Sequence, residues 1–361
     1  MRLPLILFCA AAMAVAGCGT PGAPRPPSLG IPKPISDLQA VRKGATVTLT
    51  WTAPIETTDG ELVKKAGKMI VVRAPAQGAG GQPVAEVPLQ PALKDLRPEK
   101  STATDSLAGL LQTGAPGDFV FYAVDALSSS TRSAGVSNQV AVPLVGTLPA
   151  PRRVTAALVP RGVELSWEAA RPQPPVWLNS RFFYRVMRRL EGAADAVKAG
   201  EIQPSSDNNL FIDTGIDWEK NYQYWVIPVT LWEVPGTQGK PGNKGEIEGD
   251  DSPAVSVFAH DSFPPVVPSG LQAVFSGQVR QPGIDLTWTP NTDEDLAGYN
   301  VYRRTDESQP LKINTDLVKT PAFQDAGVQP GMRYTYSVSA VDLRGNESGC
   351  SPETSEGVPK E

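Results

Sequence analysis

A five-residue phrase occurs three times in this chain: Val47-Thr-Leu-Thr-Trp51, Val163-Glu-Leu-Ser-Trp167 and Ile284-Asp-Leu-Thr-Trp288. Side chains alternate across a strand, so each copy sends three apolar residues to one side and two polar residues to the other. That is the pattern of an antiparallel sheet with one face on a core and one in water. The tryptophans stand 116 and 121 residues apart. Each interval holds a domain with its own core and is too long for a solenoid repeat. Many short strands with turn residues between them indicate sandwiches. The expected fold class is therefore all-β, with three tandem sandwiches.

Further phrases recur in the same order. Tyr299-x-Val301-x-Arg303 is matched by Tyr184-x-Val186-x-Arg188 and by Met69-x-Val71-x-Arg73. Phe323-x-Asp325-x-Gly327 is matched by Phe211-x-Asp213-x-Gly215, and nine residues after each Asp a tyrosine, Tyr334 or Tyr222, opens a long alternating strand. With Pro268 and Pro330-Gly-Met-Arg-Tyr334, these residues resemble the fibronectin type III family over about residues 33 to 358. The resemblance implies immunoglobulin-like sandwiches in which Tyr222 and Tyr334 bond the backbone just before the sixth strand. In the first copy, placing Ala123-Val-Asp125 on Ala340-Val-Asp342 puts Gly117 where that tyrosine belongs. These motifs are specific for fold and nearly silent on function.

Residues 1 to 17 read as an export signal: Arg2, then a short apolar run. It ends in Val15-Ala-Gly-Cys18, which resembles the lipobox of bacterial lipoproteins. The resemblance implies a lipidated Cys18 as the first mature residue, and several acyl chains on one residue anchor stably. Gly19 in place of Asp implies the outer membrane where one exists. Cys9 leaves with the signal, so Cys350 has no partner for an internal disulfide. Residues 18 to 32 form a Pro/Gly-rich tether. Domains are expected at 33–144, 150–260 and 266–358. Three stretches are expected as irregular or helical: 74–92 as a long loop or edge, 192–200 as a short helix, and 233–253 as a mobile loop. Leu107-Ala-Gly-Leu-Leu111 fits a helical turn or a strand.

Little in the sequence carries chemistry. With one histidine, His260, at a domain joint and one mature free cysteine, no Ser-His-Asp, Cys-His or His-rich zinc set is expected. His260 reads as a solvated linker residue. Asn291-Thr-Asp-Glu-Asp295 offers oxygen ligands to calcium around Asp293, but its spacing fits no EF-hand, and the family carries acidic loops here without metal. Glu246, Glu248, Asp250 and Asp251 read as a solvated charge run. No Gly-rich phosphate loop opens a helix, so no nucleotide cofactor is expected. A net charge of −5 without a basic stripe argues against nucleic acid.

The aromatic residues stand out. Trp177 precedes the third strand of the second domain and Trp232 follows its sixth, so the two loops emerge at one end of a sandwich. Trp177 and Trp232 form either an exposed ligand platform or a lid on the core. Trp225 alternates with Tyr222, Tyr224 and Val226 and is expected to point outward with Arg185 and Met187, giving an apolar outer face. The functional expectation is a non-catalytic, membrane-anchored binding or scaffold module, with a protein, peptide or glycan as ligand. The alternatives are an accessory part of an envelope polysaccharide- or peptidoglycan-processing system and a purely structural spacer.

Overall fold

Each time, the repeated phrase forms a strand with one antiparallel neighbour on either side, because its alternation leaves one face to bury. In a computed structural model, residues 29–92, 98–115, 117–168, 170, 179–236, 242–278, 281–306 and 308–360 are described. The export signal, Cys18 and Trp177 lie outside them. The chain divides into two units, Met1–Leu144 and Val145–Glu361.

In the first unit, β1 (Gln39–Lys43) pairs with β2 (Thr46–Thr52), which pairs with β5 (Lys100–Ser106). The facing sheet runs β4 (Gln82–Leu89), β3 (Gly67–Ala74) and β6 (Phe119–Leu127), with β7 (Ser133–Val136) and β8 (Val140–Pro143) also on β6. A short helix, α1 (Ala108–Thr113), joins β5 to β6 and resolves the ambiguity at 107–111; Leu107 at its start is fully buried.

The second unit holds two sandwiches built the same way. In one, β9 (Thr155–Val159), β10 (Gly162–Glu168) and β13 (Asn208–Asp213) face a sheet of β12 (Val197–Ile202), β11 (Arg181–Leu190), β14 (Asn221–Val234) and β16 (Val255–Phe258). In this sandwich β15 (Asn243–Glu248) also pairs with β14. In the other, β17 (Ser269–Gln278), β18 (Gln281–Thr289) and β21 (Ala322–Asp325) face β20 (Leu311–Lys312), β19 (Leu296–Arg304), β22 (Arg333–Asp342) and β23 (Thr354–Gly357).

Each sandwich has its own core cluster, centred on Trp51, Trp167 or Trp288. The indole meets the first residue of the next phrase. Trp51 Nε1 lies 3.1 Å from Met69 Sδ, while Trp167 and Trp288 meet Tyr184 and Tyr299 edge-on, at 5.4 and 5.1 Å between ring centres. Edge-to-face pairs of this kind add to simple area burial.

A polar device ties the two sheets together in every copy. The arginine closing the third-strand phrase reaches an aspartate on the opposite sheet: Arg73 to Asp105 at 2.6 Å, Arg188 to Asp213 at 2.8 Å and Arg303 to Asp325 at 2.9 Å. The same aspartates accept a tyrosine hydroxyl, from Tyr122 at 2.7 Å, Tyr224 at 2.9 Å and Tyr336 at 2.8 Å. The Asp-x-Gly spacing follows from this: Asp213 and Asp325 also take the N–H of Gly215 and Gly327, whose carbonyls accept from Arg188 and Arg303. A buried carboxylate needs that many partners to repay its desolvation. A second device also occurs three times. Ser137, Ser252 and Ser351 each accept the N–H of a buried sixth-strand valine (Val124, Val226, Val338) and donate to the next carbonyl.

The corner tyrosines are present in the second unit. Tyr222 OH accepts from Asp217 N and Tyr334 OH accepts from Gln329 N, both at 2.9 Å, and Arg188 and Arg303 lie over their rings. In the first unit the register corrects the expected alignment. Arg73 faces Tyr122 as Arg188 faces Tyr224 and Arg303 faces Tyr336. Val120, not Gly117, therefore holds the corner position, and it is buried. Matching a short Ala-Val-Asp phrase had slipped the alignment by three residues.

The three irregular stretches also differ from expectation. Within 74–92, β4 pairs with β3 through a bulge that lets Gln82-Pro-Val form a strand despite its proline. Residues 192–200 make a tight turn into β12 rather than a helix. The stretch from 233 begins as a continuation of β14 to Val234, which returns as β15.

Removing one partner of a triad leaves the others buried and unpaired. Asp325→Ala should cost the third sandwich about 3–5 kcal/mol, and Tyr336→Phe about 1 kcal/mol, as read from urea denaturation of its transition. Burial, reinforced by the adjacent aspartates, pushes the hydroxyls of Tyr122, Tyr224 and Tyr336 above the usual tyrosine range. Their contribution to stability is complete below about pH 10, where an unfolded tyrosine titrates, and falls as pH rises further. Thermal melts should hold up to about pH 9 and drop steeply toward pH 11, with these three phenols silent at 295 nm until the chain unfolds.

Candidate functional site

The second sandwich departs from the other two at β14. Its fourteen residues overrun the ten of the corresponding β22. The overrun keeps strand alternation through Leu231-Trp-Glu-Val234 and pairs with β15, making a hairpin beyond the sandwich's own framework. Trp232 stands directly across from Gly245. A Cβ at residue 245 would lie 2.7 Å from the indole, so only glycine lets the ring lie flat on the neighbouring strand.

An open cleft of about 450 Å³ runs along the base of this hairpin, lined by Asn179, Arg181, Trp232, Glu233, Lys244 and Glu246 among others. Its volume falls within the roughly 300–1,000 Å³ of small-ligand clefts. Trp232 is buried, at 8% exposed. It lies outside the main hydrophobic cluster of the second sandwich. The platform expected from Trp177 and Trp232 therefore has only its Trp232 half within the described residues.

The face of the sheet around Trp225 is ionic, which corrects the expectation of an apolar surface. Trp225 is half-buried, and the Arg189 guanidinium lies over its ring, 5.9 Å from the centre. Arg185 sits among three carboxylates, at 2.9 Å from Glu201, 2.9 Å from Glu246 and 2.8 Å from Glu248. Burial opposes the charge on Arg185, but the hydrogen bonds it donates to Glu246 and Glu201 outweigh it and hold the guanidinium more firmly protonated than usual. Burial likewise opposes ionisation of Glu201, and Arg185 and Lys198 reverse that and hold its carboxyl below the usual range. Glu246 and Glu248 are thus the struts that fix β15 to β11 rather than a solvated run. The period-two spacing of Glu246, Ile247 and Glu248 was the available signal.

The remaining sequence candidates lie where the second sandwich joins the third. Asp293 accepts the N–H of Val266 and the side chain of Asn291. Asp295 gathers with Asp261 and Asp342, their carboxylate oxygens within 4.8 Å of one another, and Arg344 reaches two of the three. His260 has an exposed side chain whose Nδ1 lies 3.1 Å from Glu219.

Comparison with known proteins gives partial matches. No family model matches the chain. Amylopullulanase of Thermoanaerobacterium thermosulfurigenes is 35% identical over 97 residues, 27% of this chain and 5% of that protein. Amylopullulanase of Thermoanaerobacterium saccharolyticum is 35% identical over 100 residues, 28% and 7%. Exoglucanase B of Cellulomonas fimi is 30% identical over 146 residues, 39% and 12%. The chain thus spans only about a tenth or less of these relatives' lengths. Among solved structures, an Fn3-like protein from Clostridium thermocellum is 32% identical, matching 98% of that chain and 27% of this one, with a TM-score of 0.24. The FN1–FN3 domains of chicken CNTN1 are 14% identical, covering 99% of that chain and 91% of this one, with a TM-score of 0.28.

Arg185→Ala would remove the cation that Glu201, Glu246 and Glu248 share. Allowing for solvent screening of these partly exposed groups, the hairpin should lose about 1 kcal/mol. Hydrogen exchange at the β15 amides should then quicken several-fold, more at low salt than at high, while exchange in β10 stays as in the parent.

Proposed function

For a chain of tandem immunoglobulin-like sandwiches of the fibronectin type III kind, we propose a non-catalytic binding and scaffold role in the cell envelope, accessory to the processing of polysaccharide. Lipid on Cys18 holds it to a membrane, the outer one where two exist, and the Pro/Gly-rich tether lifts the first sandwich away from the surface. The observation that carries this reading is how the charged groups are used. The arginines and aspartates of the recurring phrases are engaged in holding sheets together, while the second sandwich adds an extended hairpin bordered by a cleft. A region similar to parts of amylopullulanases and of exoglucanase B supports an association with carbohydrate.

Arg181 and Lys244 supply donors, Glu233 an acceptor and Trp232 an apolar edge, a set suited to a hydroxyl-rich ligand. Two experiments test the proposal. Cys18→Ser should move the exported protein from the membrane pellet to the soluble fraction; continued pelleting would rule out the anchor. Affinity electrophoresis in gels containing soluble β-glucan, α-glucan or peptidoglycan fragments should show retardation of the parent chain on at least one. The Arg181→Ala, Lys244→Ala variant should lose that retardation at least tenfold without a change in melting temperature. Parent mobility unaffected by every polysaccharide would remove the carbohydrate association.

A further inference from the structure

The cluster at the joint between the second and third sandwiches has one feature that neither sandwich needs for its own core. Asp261 and Asp342 are buried and Asp295 is half-buried, with all three carboxylates close together. Three anions this near repel strongly in a medium less polar than water. Asp342 spends its oxygens on its own turn, accepting the N–H groups of Arg344 and Asn346 and the Asn346 side chain. Arg344 Nη1 lies 3.3 Å from Asp261 and 3.7 Å from Asp295, and its Nε lies 3.7 Å from Glu219. Asp261 and Glu219 belong to the second sandwich and its exit, and Asp295 and Arg344 belong to the third.

Other contacts converge there. Asn346 Nδ2 donates to the Asp261 carbonyl at 3.1 Å. Glu219 holds a left-handed backbone, with φ at 62°, and its carboxylate takes the Asp261 N–H at 3.2 Å and His260 Nδ1. A non-glycine residue keeps that conformation only where its surroundings fix it. Trp218 meets Phe263 with ring centres 6.2 Å apart, and Val266 is held by Asp293. Burial and the charges of Asp261 and Asp342 raise the Asp295 carboxyl above its usual range, as expected of a crowded anion that Arg344 only partly compensates.

We infer that Arg344 is the counter-ion clamp of this joint: it balances carboxylates contributed from both sides and so makes the second and third sandwiches one rigid body. Without that cation the carboxylates separate, and the remaining contacts at the proline-dense linker leave the angle free to vary.

The test uses the full-length chain with its three cysteines changed to Ser and spin labels at Arg161→Cys and Gln309→Cys, both exposed. Double electron–electron resonance should give one narrow distance distribution for the parent. Arg344→Gln should widen it at least threefold while the far-ultraviolet spectrum stays that of a folded β protein. Adding Asp295→Asn to Arg344→Gln removes an anion along with the cation and should bring the width back toward the parent. A parent distribution already broad, an Arg344→Gln distribution as narrow as the parent's, or no recovery in the double variant would each overturn the clamp. If Arg344→Gln fails to fold, Arg344→Lys decides: it keeps the charge and should remain narrow, and a broad distribution there overturns the proposal too.

Discussion

Everything in this fold rests on a buried carboxylate that must find partners. Two sheets of a sandwich meet mainly through apolar side chains, which hold them together without fixing their registration. Asp105, Asp213 and Asp325 supply that registration. Each sits on the edge of one sheet and is reached by an arginine and a tyrosine that face each other across neighbouring strands of the other. A slip by one residue would turn all of these side chains to the wrong side. The triad therefore selects one packing of the sheets as well as stabilising it. Its recurrence with the same register in all three sandwiches explains why the phrases survive while the connecting stretches differ.

The departures from the common plan are informative for the same reason. In the first sandwich Val120 replaces a corner tyrosine and α1 fills the connection from β5 to β6, so that copy keeps its triad without the backbone bond that secures the other two corners. In the second, β14 runs past the framework, and Arg185 with its carboxylates fixes the returning strand. Glu246 and Glu248 of the hairpin are held in place by ion pairs rather than left to a loose loop. Ordered placement lowers the entropy lost on binding.

Much of the fold was legible in the sequence because strand alternation and phrase order are local signals. Val47 to Trp51 and its two counterparts could be read directly, as could the arginines of the third strand and the aspartates at 213 and 325. Asp105 was missed, because Ala103 and Leu107 stand where the other two copies carry the flanking Phe and Gly. The serines at 137, 252 and 351 were missed because a single hydroxyl at a strand entrance has no periodicity. β4 and β15 were hidden by glycine and proline, which argue for loops unless a long partner strand is already waiting to pair with them. The site was less legible than the fold. Trp232 was singled out from its place after the sixth strand, but its fit against Gly245, thirteen residues away, is readable only once the two strands are paired. The joint cluster was only glimpsed through Asp293 and Asp295, since Asp261 and Arg344 come from distant parts of the chain.

The long strand β14 has a mechanical consequence. It is paired with β11 along ten of its residues, with β16 over its first four and with β15 over its last six. A pull along the axis of β14 from the hairpin tip loads all of these bonds in shear at once instead of unzipping them singly. Force applied at the hairpin tip would then spread over the whole second sandwich before any strand could tear loose.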